Sequence, residues 1–345
     1  MLERAGVDGG FRRVRKLVIG LGAVALVAAA CSDAGGGAPA DEGLVRVVTT
    51  VSPITNIVQN VGGEHVSIVG IVPEGTNSHT FEPAPSDAAA MAEADIVFVN
   101  GLHLEEPTLE LAASNVREGV GIVQLGDRTI PPEKYIFDFS FPEAEGDPNP
   151  HLWTNPLYAE RYAEIVMDEL SELDPANAAD YRASYSAFAE RIDELDRIVR
   201  EVTETVPEAD RKLLTYHDSF PYFAREYGWT VIGAIQPSDF SEPTPQEVAA
   251  LIDQIRAERV PAIFGSEVFP SPVLEQIAEE TGAEYIDDLR DDDLPGEDGD
   301  AGHSYFGLVV FDFRTFMGAL GGDVSAFDGF DVTNLYEGDT VRYRY

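Results

Sequence analysis

Cysteine is almost absent from this chain: Cys31 is the only one among 345 residues. A single thiol excludes a disulfide framework and every zinc module built on cysteine pairs. Basic residues are also scarce, 23 against 62 acidic ones, for a formal charge of −39. A surface of that sign repels nucleic acid and anionic lipid, so nucleic acid is not an expected partner. The acid excess itself reads as a coat for solubility or salt adaptation. Residues 17–30 form an apolar run too short for a comfortable permanent membrane span. No H-E-x-x-H, G-x-S-x-G or P-loop pattern occurs, which leaves no sequence signal for an enzyme.

What is present starts with an export signal. Arg12, Arg13, Arg15 and Lys16 precede the apolar run, which ends Ala28-Ala29-Ala30-Cys31. Small residues before a lone cysteine resemble a bacterial lipoprotein processing site, with Cys31 becoming the lipidated N-terminus. Gly35-Gly36-Gly37 and Pro39 then read as a flexible tether. Removing residues 1–30, with five basic and two acidic residues, takes the net charge to −42.

Beyond the tether, β-runs at 45–51, 66–72, 96–99 and 122–125 alternate with helical stretches at 53–61, 85–93 and 106–116. The pattern resumes at 212 with strands near 212–216, 229–234, 262–264 and 283–286. Helices are expected between them at 219–227, 245–259 and 272–281, with a last one over 305–320. Such alternation predicts an α/β fold of two lobes with mostly parallel sheets. Between the halves, Asn155 caps a helix opened by Pro156, and Asp174-Pro175 marks a joint. Tyr181, Tyr185, Phe188, Ile192, Leu195, Val199 and Val202 then recur at helical spacing over a segment on the order of 40 Å long.

The expected layout is a signal segment at 1–30, a tether at 31–44, a lobe at 45–154, a long helical connector at 155–206 and a second lobe at 207–322. A tail at 323–345 has no assigned role; it could add a strand or wrap a lobe. Residues 126–150 read as an acidic loop.

Three of the six histidines stand just outside predicted elements: His79 after a strand, His151 before the connector and His217 after a strand. Ligands in open α/β folds collect beyond the carboxyl ends of strands, so these positions point to one kind of place. His65, His103 and His303 read as structural or solvated.

The segments VPEGTNSHTFEPAPSD, ADIVFVNGLHLE, DPNPHLWTNP, HDSFPYFAREYGW and AGHSYFGLVVFDF resemble, in order, motifs of the metal-specific solute-binding proteins of bacterial ABC importers. The resemblance implies two α/β lobes joined by a long rigid helix, with a metal held between them. It also implies a monomer on the outer face of the cell membrane, held by the lipid anchor alone and serving an importer permease and its ATPase. Carried over position by position, the ligands are His79, His151, His217 and an aspartate in the loop before the last helix. Counting from Thr281-Gly282 selects Asp292, with Asp291 or Asp293 as register alternatives and Asp288 as an outside candidate. The rest of that acidic run is expected to be solvated.

The sequence departs from the family in carrying Asn77-Ser78 and Asn149-Pro150 where Asp-Pro is usual, and in having no histidine between 126 and 150. Glu82 and Asp218 are the candidates for orienting ligand imidazoles. Three imidazoles and one carboxylate suit tetrahedral Zn²⁺ and leave no open coordination position, which favours capture over catalysis. Zinc is the expected ion and Mn²⁺ the alternative, since manganese members commonly carry Glu where His217 stands. Binding is expected to weaken as falling pH protonates the imidazoles. Two rival readings are a surface adhesin or scaffold with structural zinc, in keeping with the family's association with cell adhesion, and a secreted zinc hydrolase.

Overall fold

The computed structural model describes residues 43–236, 241, 243–266, 271–338 and 340–343. The signal segment, Cys31 and most of the tether lie outside them. Among the described residues no helix is long and apolar enough to cross a membrane.

The first sheet comprises β1 (Val45–Thr49), β2 (Val66–Gly70), β3 (Ile96–Val99), β4 (Gly121–Gln124) and β9 (Val341–Tyr343), in the order β4-β3-β1-β2-β9. The second contains β5 (Lys212–Thr215), β6 (Thr230–Ala234), β7 (Ala262–Ser266) and β8 (Glu284–Leu289), in the order β6-β5-β7-β8. Every pairing is parallel, so the fold is α/β with two parallel-sheet lobes. Helices α1 (Ser52–Gly62), α2 (Asp87–Glu93), α3 (Glu106–Asn115) and α4 (Leu125–Thr129) belong to the first half. Helices α7 (Pro221–Tyr227), α8 (Pro245–Glu258), α9 (Pro272–Thr281) and α10 (Tyr305–Ala319) belong to the second.

The two halves share one core. Alternate residues of a strand face opposite sides of its sheet, and here the two faces have different destinations. Val47, Ile68, Phe98, Leu213, Ala262 and Phe264 join a central cluster with the connector helices. Their neighbours Val48, Val97 and Val99 face an outer N-terminal cluster, and Leu214 and Ile263 an outer C-terminal one. Strands covered on both faces read as continuous apolar runs, which is how they stand in the sequence.

The connector is two helices, α5 (Pro156–Leu173) and α6 (Ala178–Thr205). Asn155 Oδ1 accepts from Leu157 N at 3.0 Å to cap α5. At the joint, Asp174 accepts from Asn177 Nδ2 at 2.7 Å and from the Tyr181 hydroxyl at 2.9 Å. The α6 stripe is buried from Tyr181 through Val202, with Tyr185 only partly covered. In α8, Thr244 and Glu247 form the capping box that their spacing predicts.

Two expectations need revision, and the alternatives left open for the tail both occur. The stretch read as an acidic loop opens with α4 and a 3₁₀ turn at Pro132–Lys134, segments too short for periodicity to register. Strand β8 continues through Asp287 and Asp288, leaving Asp288 exposed on the strand and away from any ligand role. The tail both adds a strand and wraps: β9 pairs with β2, and Phe327 and Phe330 enter the central core.

Asn334 is the tail's main polar anchor. Its Oδ1 accepts from Asn56 Nδ2 at 2.9 Å and Asn60 Nδ2 at 3.0 Å, while its Nδ2 donates to the His303 carbonyl at 3.1 Å. It therefore ties α1 to the turn that leads into α10. Asn334→Ala takes one acceptor from each of two buried amides that keep another, Gln59 for Asn56 and Asn56 for Asn60, and should destabilise the metal-free protein by about 0.5–1.5 kcal/mol. Denaturant unfolding tests this; an unchanged midpoint contradicts it.

Candidate metal centre

The three singled-out histidines meet. His79 comes from the loop after β2, His151 from the turn before α5 and His217 from just beyond β5. Their Nε2 atoms form a near-equilateral triangle: 3.1 Å between His79 and His151, 3.1 Å between His79 and His217, and 3.0 Å between His151 and His217. Among the described residues they are the His, Cys, Asp and Glu set with candidate ligand atoms all within 4.8 Å of one another. His151 and His217 are buried, and His79 is partly exposed.

The far side of two rings is fixed by amide oxygens. His151 Nδ1 lies 2.9 Å from Asn149 Oδ1, and His217 Nδ1 lies 2.9 Å from Gln236 Oε1. An amide oxygen only accepts, so each Nδ1 carries the proton and each Nε2 presents a lone pair. Two lone pairs facing each other at 3.0 Å repel unless a cation lies between them. An ion about 2.0–2.1 Å from each nitrogen in tetrahedral geometry keeps the nitrogens roughly 3.3 Å apart, close to the spacing present. The donor set therefore fits a small transition-metal cation.

Burial holds the His79 imidazole well below its ordinary pKa of 6.5, with the charge of His217 adding to the effect. Burial does the same to His151, reinforced by both other histidines. His217 is lowered by burial too, partly offset by Asp292 and Gln236. All three are consequently poised as neutral ligands.

The aspartate run reaches the site from β8, and Asp291, Asp292 and Asp293 are all buried rather than solvated. The Ser78 hydroxyl donates a short hydrogen bond to Asp292 Oδ2. Asp292 Oδ1 is buried without a hydrogen-bond partner, the state of a carboxylate oxygen kept for an ion. Asp291 Oδ2 lies 3.7 Å from His217 Nε2. Asp293 turns away, accepting from Gly75 N at 2.6 Å. Burial raises all three pKa values to about 7; neighbouring aspartates add to this, Asp291 acting on Asp292 and Asp293 on Asp291.

These loops also stitch the lobes together. Ser52 Oγ donates to the Asp292 carbonyl at 2.6 Å, and Trp153 Nε1 to the Asp291 carbonyl at 2.7 Å. Thr154 Oγ1 donates to the Ser219 carbonyl at 2.8 Å. Phe141 covers the cluster, its ring centroid 5.6 Å from His79 and 5.8 Å from His151.

The orienting residues differ from those expected. Glu82 is exposed. Asp218 is fully buried, but its carboxyl faces Asp138 rather than an imidazole; burial and Asp138 raise it well above the usual range, and burial raises Asp138 to about 6. Asn149 and Gln236 hold the rings instead. Asn149 stands in the motif itself, two residues before His151, whereas Gln236 lies 19 residues beyond His217 with no local signal. Asn77, part of the departure before His79, accepts from the His79 amide at 2.9 Å. The remaining histidines lie elsewhere. His65 contacts Asp180 at 3.1 Å, His103 contacts Glu106 at 2.7 Å, and His303 is 3.7 Å from Glu74.

Comparison with known proteins places this geometry in context. The family model described as zinc-uptake complex component A, periplasmic, matches residues 47–319. A manganese-binding lipoprotein of Halalkalibacterium halodurans is 28% identical over 297 residues, covering 86% of this chain and 95% of the relative. An iron-binding protein of Yersinia pestis is 30% identical over 276 residues, covering 80% and 86%. Among solved structures, the periplasmic zinc-binding protein of Treponema pallidum superposes with a TM-score of 0.73 at 28% identity. That match covers 81% of this chain and all of that one.

A carboxyl whose folded pKa lies above its unfolded value destabilises the fold at pH above the folded value. For Asp292 the penalty is full above about 7 and fades as pH falls towards about 4. Asp292→Asn removes the charge and keeps an oxygen for Ser78. At pH 8 the metal-free variant should resist denaturant better than the parent, with the gap closing by pH 4. A gap of the same size at both pH values contradicts the assignment.

Proposed function

Because this chain belongs to the family of periplasmic zinc-uptake components, the metal-binding subunits of ABC importers, we propose that it captures Zn²⁺ and delivers it to an importer permease. The reading rests on one observation, the triangle of Nε2 atoms at 3.0–3.1 Å with the outer nitrogens of His151 and His217 tied to amide oxygens. In it His79, His151 and His217 supply three neutral nitrogens and Asp292 supplies one oxygen through Oδ1. Four protein donors of this kind match tetrahedral zinc and fill its shell. A filled shell leaves no position for an activated water, so the site holds its ion without doing chemistry on it.

Metal binding carries the linkage between the lobes. The first lobe contributes His79 and His151, the second His217 and Asp292, so the ion ties the two loop systems that Ser78 and Trp153 already bridge. Release then requires those loops to part. The shared core limits the motion to a local adjustment rather than a wide hinge. The permease must prefer the loaded form for transport to be directional. Anchoring by a lipidated Cys31 keeps the folded part at the outer face of the membrane, beside the permease and its ATPase.

A specific observation supports manganese as the second reading. Asp291 Oδ2, 3.7 Å from His217 Nε2, offers a further oxygen near the shell, and Mn²⁺ favours oxygen-rich coordination.

Competitive titration of the purified protein with Zn²⁺ and Mn²⁺ tests the reading. One ion per chain is expected, with zinc preferred. His217→Glu exchanges a nitrogen for oxygens and should lower the zinc-to-manganese preference by more than about tenfold, equivalent to ~1.4 kcal/mol. Unchanged stoichiometry and selectivity in that variant would remove His217 from the shell and the proposal with it.

A further inference from the structure

The segment Asp138–Phe141 belongs to the stretch that the sequence offers only as an acidic loop, yet it reaches behind the metal centre from two directions. Ser140 Oγ donates to the Gln236 carbonyl at 3.0 Å, anchoring the residue that holds His217. Asp138 Oδ2 accepts from Asn149 Nδ2 at 3.0 Å, and Asn149 is the residue that holds His151.

An asparagine side chain is nearly symmetric in shape, with an acceptor on one prong and a donor on the other. Which prong faces His151 is settled from both ends: the His151 amide donates to Asn149 Oδ1 at 3.1 Å, and the other prong is held by what accepts from it. There the Asn149 amide nitrogen meets two acceptors, the Asp138 carboxylate and the Asp218 carbonyl at 2.6 Å. With Nδ2 so engaged, Oδ1 faces His151, fixes the proton on Nδ1 and leaves the Nε2 lone pair towards the cluster. Were the amide reversed, its N–H would face Nδ1, the ring proton would move to Nε2, and His151 would be lost as a ligand through that nitrogen.

Asp138 is itself held for this task. The Phe141 amide donates to Asp138 Oδ1 at 3.2 Å, and the Asp138 amide donates to the Phe141 carbonyl at 2.9 Å. The turn occupies one carboxylate oxygen and aims the other at Asn149. The same turn places the Phe141 ring against His79 and His151.

We propose that Asp138 is a positioning residue of the metal centre, acting through Asn149, with the His151 amide and the Asp218 carbonyl, to hold the tautomer of His151. The inference rests on reading the site as a metal centre, and its test separates the two. In the metal-free parent at pH 8, ¹⁵N NMR should find His151 protonated at Nδ1; protonation at Nε2 overturns the proposal whatever any variant does. Asp138→Ala should weaken Zn²⁺ binding by about tenfold and alter the visible absorption of the Co²⁺-loaded protein. Asp138→Asn keeps an oxygen for Asn149 but sets its amide nitrogen against the Phe141 N–H, so it should recover part of both losses, with an affinity between those of Asp138→Ala and the parent. If Asp138→Ala lowers the unfolding midpoint but leaves affinity and the Co²⁺ spectrum unchanged, the role is merely structural and the proposal falls. If the parent binds neither ion, the metal-centre reading falls with it.

Discussion

Three imidazole Nε2 atoms converging within 3.1 Å of one another are the constraint around which the rest of this structure is arranged. Without a cation such a cluster is unfavourable twice over: the nitrogens repel, and burial denies them the protons that would relieve the repulsion. Asp291 and Asp292 add carboxyls in the same buried place, with pKa values raised to about 7. A divalent ion reverses each of these costs at once, since it pairs with the lone pairs and compensates the buried negative charge. The free energy stored against the metal-free form is returned as affinity.

Holding such a cluster together requires a stiff support, and the shared core provides it. Both sheets turn one face to the same set of connector and terminal helices, so the lobes are less two bodies on a hinge than two layers on one spine. The ligand loops leave the carboxyl ends of β2, β5 and β8, where parallel strands stop and the backbone is free to turn. Short hydrogen bonds from Ser52, Ser78 and Trp153 to the aspartate loop then fix the distance across the gap. Large lobe rotation would break the common core, so exchange of the ion has to occur through local movement of loops.

Much of this was legible in the sequence because the strong signals are local. Short apolar β-runs and period-3.6 patterns located the strands and helices, Asn155-Pro156 and Thr244-Glu247 announced helix starts, and the motif histidines were identifiable one by one. The missing parts depend on contacts between residues far apart in the chain. Gln236 meets His217 only because β5 and β6 lie side by side. Ser78 reaches Asp292 across 214 positions, and the tail's strand has no partner until β2 is placed beside it. The expected roles of Glu82 and Asp218 failed for a related reason. Proximity in sequence to a ligand says little about which way a carboxylate points. Neutral amides hold His151 and His217 where charged groups were anticipated, so these two rings are oriented without being made more basic by a carboxylate.

The central claim is that three imidazoles and one aspartate oxygen surround a single ion. X-ray absorption at the zinc edge of the loaded protein measures that shell directly. The account predicts four nitrogen or oxygen donors at about 2.0–2.1 Å, with outer-shell scattering from three imidazole rings. A shell containing one imidazole or none, or dominated by water oxygens, would contradict it.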